Sequence, residues 1–212
     1  MRIGVLGGTF DPIHVGHLII AETVRDEMAL DKVLFIPAAA PPHKQRQPIT
    51  AAADRLELVR LAVEGNAAFE PSDIEITRGG ISYTIETVEA LRRSHGEEAD
   101  LYFIIGADTV PELRTWKDID HLVRLCTFVV VARPGHRIEE LLSEAVGLAP
   151  ETRQRVLRHY FDAVLVDISS TDLRARLAQG KSVRYRLPEV VERSIRAKGL
   201  YGTKKSTPAA ER

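Results

Sequence analysis

Short apolar runs rich in β-branched residues alternate along this chain with stretches whose apolar positions recur every three or four residues. Ile3-Gly4-Val5-Leu6 reads as a buried strand that stops at Gly7-Gly8. His17 to Leu30 reads as a helix, with Ile20, Val24 and Met28 on one face. Val33 to Ile36 predicts a second strand, stopped by Pro37, and Ala51 to Val63 a second helix with Leu56, Val59 and Val63 inward. Ile74-Glu75-Ile76 alternates and is read as a strand. Thr84 to Arg93 is helical, with Ile85, Val88 and Leu91 inward. Leu101 to Ile105 and Phe128 to Ala132 are continuous apolar runs, the pattern of central parallel strands covered on both faces. Val164-Leu165-Val166 predicts one more strand. Helices follow around Leu173 to Leu177 and Leu187 to Ala197, with Pro188 suited to a first turn. Residues 137–162 are helical in composition but have no clear place in the pattern.

This alternation predicts an α/β fold: a Rossmann-like open parallel sheet with helices on both faces and a small C-terminal helical part. At roughly 150 residues per domain, 212 residues suit one domain with additions. The polar tail from Thr203 to Arg212 is expected to be disordered. With 29 basic and 30 acidic residues the chain lacks the basic excess of a nucleic-acid coat, so no nucleic-acid partner is expected. The one cysteine, Cys126, rules out an internal disulfide and a multi-cysteine metal site. No run of ~18 apolar residues is present, so no membrane span is expected. The start of the chain shows no apolar signal region, which makes the cytoplasm the expected location.

Chemistry concentrates in two strand-to-helix turns. The first is Gly7-Gly8-Thr9-Phe10-Asp11-Pro12-Ile13-His14-Val15-Gly16-His17. In an open parallel sheet such a turn is where ligands bind, and two glycines let the backbone approach a phosphate. Neither the dinucleotide fingerprint nor a P-loop is present. His14 and His17, three apart at a helix start, can face one side. They read as two imidazole donors to phosphate; a metal pair or two surface histidines are the plainer alternatives. The second turn is Ile168-Ser169-Ser170-Thr171-Asp172-Leu173-Arg174. A plain helix cap accounts for Ser169 and Asp172. The functional reading adds hydroxyls and a helix start that cradle an anion, with Arg174 one turn inside. Arg174 to Lys205 carries ten basic and two acidic residues, mostly a solvated face.

Together these turns resemble the nucleotidyltransferase superfamily marked by H-x-G-H near one end and I-S-S-T-x-x-R near the other. Pro42-His43-Lys44, Ile81-Ser82-Tyr83-Thr84, Gly106-Ala107-Asp108, Trp116 and Arg133-Pro134-Gly135 extend the resemblance over residues 1–202, as one domain, to the nicotinate mononucleotide adenylyltransferase family. Relatives often have an aromatic residue after the tryptophan, where this chain has Lys117.

The resemblance implies that nicotinate mononucleotide and ATP are joined to give nicotinate adenine dinucleotide and pyrophosphate. Its implied catalytic residues are His14, His17, Lys44 and Arg174. ATP would be met by Gly8, Phe10, His14, His17, Gly106, Asp108, Ser170, Thr171 and Arg174. The mononucleotide would be met by Lys44, Tyr83, Thr84 and Trp116, with the tryptophan stacked on the pyridine. Mg²⁺ would ride on the ATP phosphates, with no protein ligand assigned. A homo-oligomer is left open. Taken alone, each residue has a plainer reading: core packing for Trp116, a cap for Thr84 or Asp108, a solvated loop for Lys44. The rival readings are a pantetheine-phosphate adenylyltransferase, which typically lacks the first histidine, a regulatory nucleotide-binding module, and a nucleic-acid binder.

Overall fold

Strand β1 (Arg2–Gly8) lies at the centre of the sheet, and its composition shows why. Ile3 and Val5 are fully buried, and Gly4 has no side chain where a Cβ would come within 2.8 Å of Leu30. A central strand covered on both faces has room for only such residues. The computed structural model describes residues 1–42, 48–96, 98–132, 147–161 and 166–204.

Among the described residues, six parallel strands form the sheet in the order β3-β2-β1-β4-β5-β6. The others are β2 (Lys32–Pro37), β3 (Phe69–Pro71), β4 (Asp100–Gly106), β5 (Thr127–Val131) and β6 (Tyr160–Phe161). The chain builds outward from β1 to β3, then crosses back to β4 on the other side of β1. The strand order therefore reverses between β1 and β4, where a parallel sheet opens a crevice at its C-terminal edge.

Period-2 alternation inside the apolar runs divides the core in two. Val5, Leu34, Phe103 and Phe128 point to one face, under α4 (Thr84–His95), α5 (Ile119–Leu125) and α6 (Pro150–Val156). Phe35, Ile104 and Val129 point to the other, under α1 (Val15–Glu27), α2 (Ala52–Val63), α7 (Ser170–Ala178) and α8 (Glu189–Lys198). The expected open sheet with helices on both faces is therefore present.

The local differences have physical causes. Ile74 to Ile76 is not a strand but part of a short helix, α3 (Ile74–Arg78). Glu75 is buried there, so the residue that mimicked a strand's exposed polar position is inside. The helix expected from His17 begins at Val15 and stops at Glu27, because Ala29 turns the chain at φ 45°. Pro188 precedes α8 as its cap rather than entering the first turn. Strands β3 and β6 are too short to show a period. Of the expected strand Val164 to Val166, only Val166 is among the described residues, and it is in no strand.

Candidate active site

A cleft of about 510 Å³ opens at the C-terminal ends of β1 and β4. Gly8, His17, Thr84, Gly106, Asp108 and Trp116 all line it, although they come from separate stretches of chain. Gly8 keeps the floor open, since a Cβ would sit 3.2 Å from the ring of Phe10. Phe10 itself is buried, with φ 47°, and packs edge-on against His17 at 5.0 Å. It supports the cleft from beneath.

The two histidines have different positions. His14 caps α1 and is only 3 % exposed, whereas His17 lines the cleft. Their rings stack at 3.7 Å. Gly16 makes this possible, because a Cβ there would come within 3.0 Å of His14 Nδ1. The backbone N–H of His14 donates to Nδ1 of His17 at 3.2 Å. An Nδ1 that accepts requires the neutral imidazole's proton to be on Nε2. His17 is thereby set as an Nε2–H donor.

The second turn docks directly on the first. Ser169 caps α7 by accepting from the Asp172 amide at 3.1 Å, as the plain reading has it. Ser170 and Arg174 do more: Ser170 Oγ donates to the Pro12 carbonyl at 2.9 Å, and Arg174 Nη1 to the Asp11 carbonyl at 2.7 Å. Arg174 Nη2 also reaches Thr171 Oγ1 at 3.3 Å. Nη1 thus holds the first turn in place, while Nη2 stays within its own helix. The starts of α1 and α7 come together here, and helix starts present amides that favour an anion.

Three residues outside the expected set hold this turn. Arg55 is 1 % exposed and donates to the carbonyls of Thr9 (2.7 Å), Ala38 (2.6 Å) and Thr50 (2.8 Å). Burial pulls its guanidinium below the usual arginine range, and the charge of Asp11 opposes that. Asp11 is itself buried and accepts from the Tyr201 hydroxyl at 2.8 Å. Burial holds the Tyr201 proton well above its ordinary range. Tyr201→Phe should therefore cost about 1.5–3 kcal/mol, as expected for a hydrogen bond to a carboxylate. Chemical denaturation measures it, and a parent-like midpoint would show that the bond contributes nothing.

A side pocket of about 160 Å³ adjoins the cleft, with Ser82, Tyr83, Thr84 and Trp116 in its walls. Tyr83 caps α4 and Thr84 is its first residue. Helix geometry leaves first-turn amides without intrahelical acceptors. Trp116 is half-buried and packs edge-on on Phe103 at 5.9 Å, so it serves the core and the pocket at once. Lys44 and Arg133-Pro134-Gly135 lie outside the described residues. Among the described residues no three His, Cys, Asp or Glu side chains gather as a metal site, and no helix is long and apolar enough to cross a membrane.

Residues 5–176 match the cytidylyltransferase-like family. A "Probable nicotinate-nucleotide adenylyltransferase" of Moorella thermoacetica is 48% identical over 200 residues, covering 94% of this chain and 91% of that protein. One of the same name from Thermoanaerobacter sp. is 46% identical, covering 95% and 94%. Among solved structures, a Plasmodium falciparum nicotinic acid mononucleotide adenylyltransferase complexed with NaAD superposes with a TM-score of 0.73 at 16% identity. That alignment covers 94% of this chain and 97% of the other, and supports the fold. A model match over most of the chain, and relatives this similar along more than nine-tenths of their length, place the chain in the cytidylyltransferase-like family of nucleotidyltransferases, beside the nicotinate-nucleotide adenylyltransferases.

Proposed function

We propose that the protein is a nicotinate-nucleotide adenylyltransferase of NAD biosynthesis, acting in the cytoplasm on ATP and nicotinate mononucleotide. The observation that carries this reading is the pair of adjoining pockets at the β1–β4 crevice. One has Thr9 and His17 in its wall, beside the turn on which the α7 start docks, and suits a polyphosphate. The other is small, with Trp116 and the α4 start in its walls, and suits a pyridine bearing a carboxylate.

The mononucleotide phosphate is already an anion at neutral pH. It attacks the α-phosphorus of ATP in line, a P–O bond forms, and pyrophosphate leaves with the electron pair. No catalytic base or covalent intermediate is needed, so the protein's task is positioning and charge stabilisation. His17 donates through Nε2–H to phosphate oxygens, and His14 orients it from behind. The α7 start, with Ser170, Thr171 and Arg174, takes the departing phosphates, and Lys44 serves the same charge. Asp108 accepts from the ribose hydroxyls, beside Gly106. ATP enters as its Mg²⁺ complex, the cation bound by phosphate oxygens and water.

Selectivity follows from the donors at Thr84. Amides at a helix start satisfy both oxygens of a carboxylate but face the NH₂ of a carboxamide with another donor. That mismatch costs about 1–3 kcal/mol, so the acid should be preferred roughly ten- to a hundredfold in kcat/KM. Trp116 covers the ring without distinguishing acid from amide, and Trp116→Ala should weaken both alike. Pyrophosphate release with ATP and nicotinate mononucleotide, nicotinamide mononucleotide or phosphopantetheine tests the reading. Equal use of acid and amide would reject the donor-only pocket, and use of phosphopantetheine alone would reject the function.

A further inference from the structure

The walls of the side pocket belong to different elements. One wall is the start of α4, with Tyr83 and Thr84; the other is the turn that carries Trp116. Lys117, next to that tryptophan, crosses between them. Its Nζ is 2.6 Å from Glu86 Oε1 and 4.6 Å from the centre of the Tyr83 ring. Both partners belong to the start of α4, Tyr83 as its cap and Glu86 in its first turn.

The connection continues on each side. Glu86 also faces Arg78 of α3 at 3.7 Å. Arg78 Nη1 donates to Thr87 Oγ1 at 3.1 Å, and that hydroxyl donates to the buried carboxylate of Glu75 at 2.6 Å. On the other side Asp118 follows Lys117 at φ 50° and caps α5, so the backbone turns at once and the Trp116–Lys117 segment is short. The hydrogen bond between Glu86 and Lys117 holds the carboxyl below, and the ammonium above, its ordinary range. The pair therefore stays charged through neutral pH.

We propose that Lys117 is a positioning residue: by pairing with Glu86 and lying over the Tyr83 ring, it sets the gap between the two walls of the side pocket, and so the affinity for the pyridine mononucleotide. This rests on reading that pocket as the mononucleotide site. An exposed ion pair contributes little to global stability. This one instead joins two walls that the backbone does not connect directly, with a cation–π contact in addition.

Trp116 is the only tryptophan, so its fluorescence reports this wall in the full-length protein without any substrate. Lys117→Met should raise KM for nicotinate mononucleotide about three- to tenfold, the range open to a partly exposed pair plus a cation–π contact. Turnover and KM for ATP should stay within about twofold, while acrylamide quenching of Trp116 increases. Lys117→Arg should restore parent values, and Glu86→Gln should reproduce the loss without adding to it in the double variant. Parent-like mononucleotide KM and quenching in Lys117→Met overturn the proposal, as does full additivity in the double variant. If the parent makes no dinucleotide, the proposed function fails while the quenching still decides the strut. An active parent whose quenching is unchanged by Lys117→Met overturns the strut alone.

Discussion

His17→Ala is expected to lower turnover roughly a hundred- to a thousandfold while changing KM for ATP by only a few-fold. The magnitude is that of one donor aimed at charge that grows in the transition state, about 2.7–4 kcal/mol. The structure supplies the aim. The amide of His14 fixes the Nδ1 side of the His17 ring, and Phe10 packs edge-on against it. In the proposed role, the donor is thus oriented before substrate arrives and needs no reorganisation during the reaction. Alanine also removes the acceptor for the His14 amide at the start of α1. Steady-state kinetics must therefore be read beside a thermal melt. A folded His17→Ala protein with near-parent turnover would show that the ring only caps a helix.

The largest stability effect should come from Arg55→Met. Methionine fills much of the same volume but donates nothing, so the carbonyls of Thr9, Ala38 and Thr50 lose a shared charged partner. Each carbonyl left without its donor costs about 1–3 kcal/mol, so the three together should cost a few kcal/mol. Arg55→Lys should recover only part of this, because a single ammonium cannot reach three carbonyls with the planar fork of arginine. Urea denaturation measures both variants. A shift below about 1 kcal/mol for Arg55→Met would mean that the loops hold themselves. The loss should extend to activity, since Thr9 and Ala38 border the cleft.

Much of the architecture was legible in the chain because burial on two faces leaves a local mark. Val5, Phe103 and Val129 belong to continuous apolar runs, and such runs next to amphipathic stretches imply parallel strands under helices. Ile74 to Ile76 misled for the same reason. Three residues alternate equally well in a strand or in one turn of helix, and only the burial of Glu75 against Thr87 distinguishes them. The two histidines and the Ser169 cap were legible because a helix start is specified within four residues.

What the sequence by itself determined was the central strands, the longer helices that cover them, and the two strand-to-helix turns that dock on each other. Only the tertiary structure decided which histidine faces the cleft, with His14 behind and His17 in front. It alone showed that Arg174 divides its N–H groups between the Asp11 carbonyl and Thr171 of its own helix, that Tyr201 reaches back to Asp11, and that Lys117 spans to Glu86. The reason is physical. Periodicity records which face of its own element a residue occupies, because 3.6 and 2.0 are local numbers. A hydrogen bond between Tyr201 and Asp11 depends on how distant elements pack, and no local period encodes a partner 190 residues away.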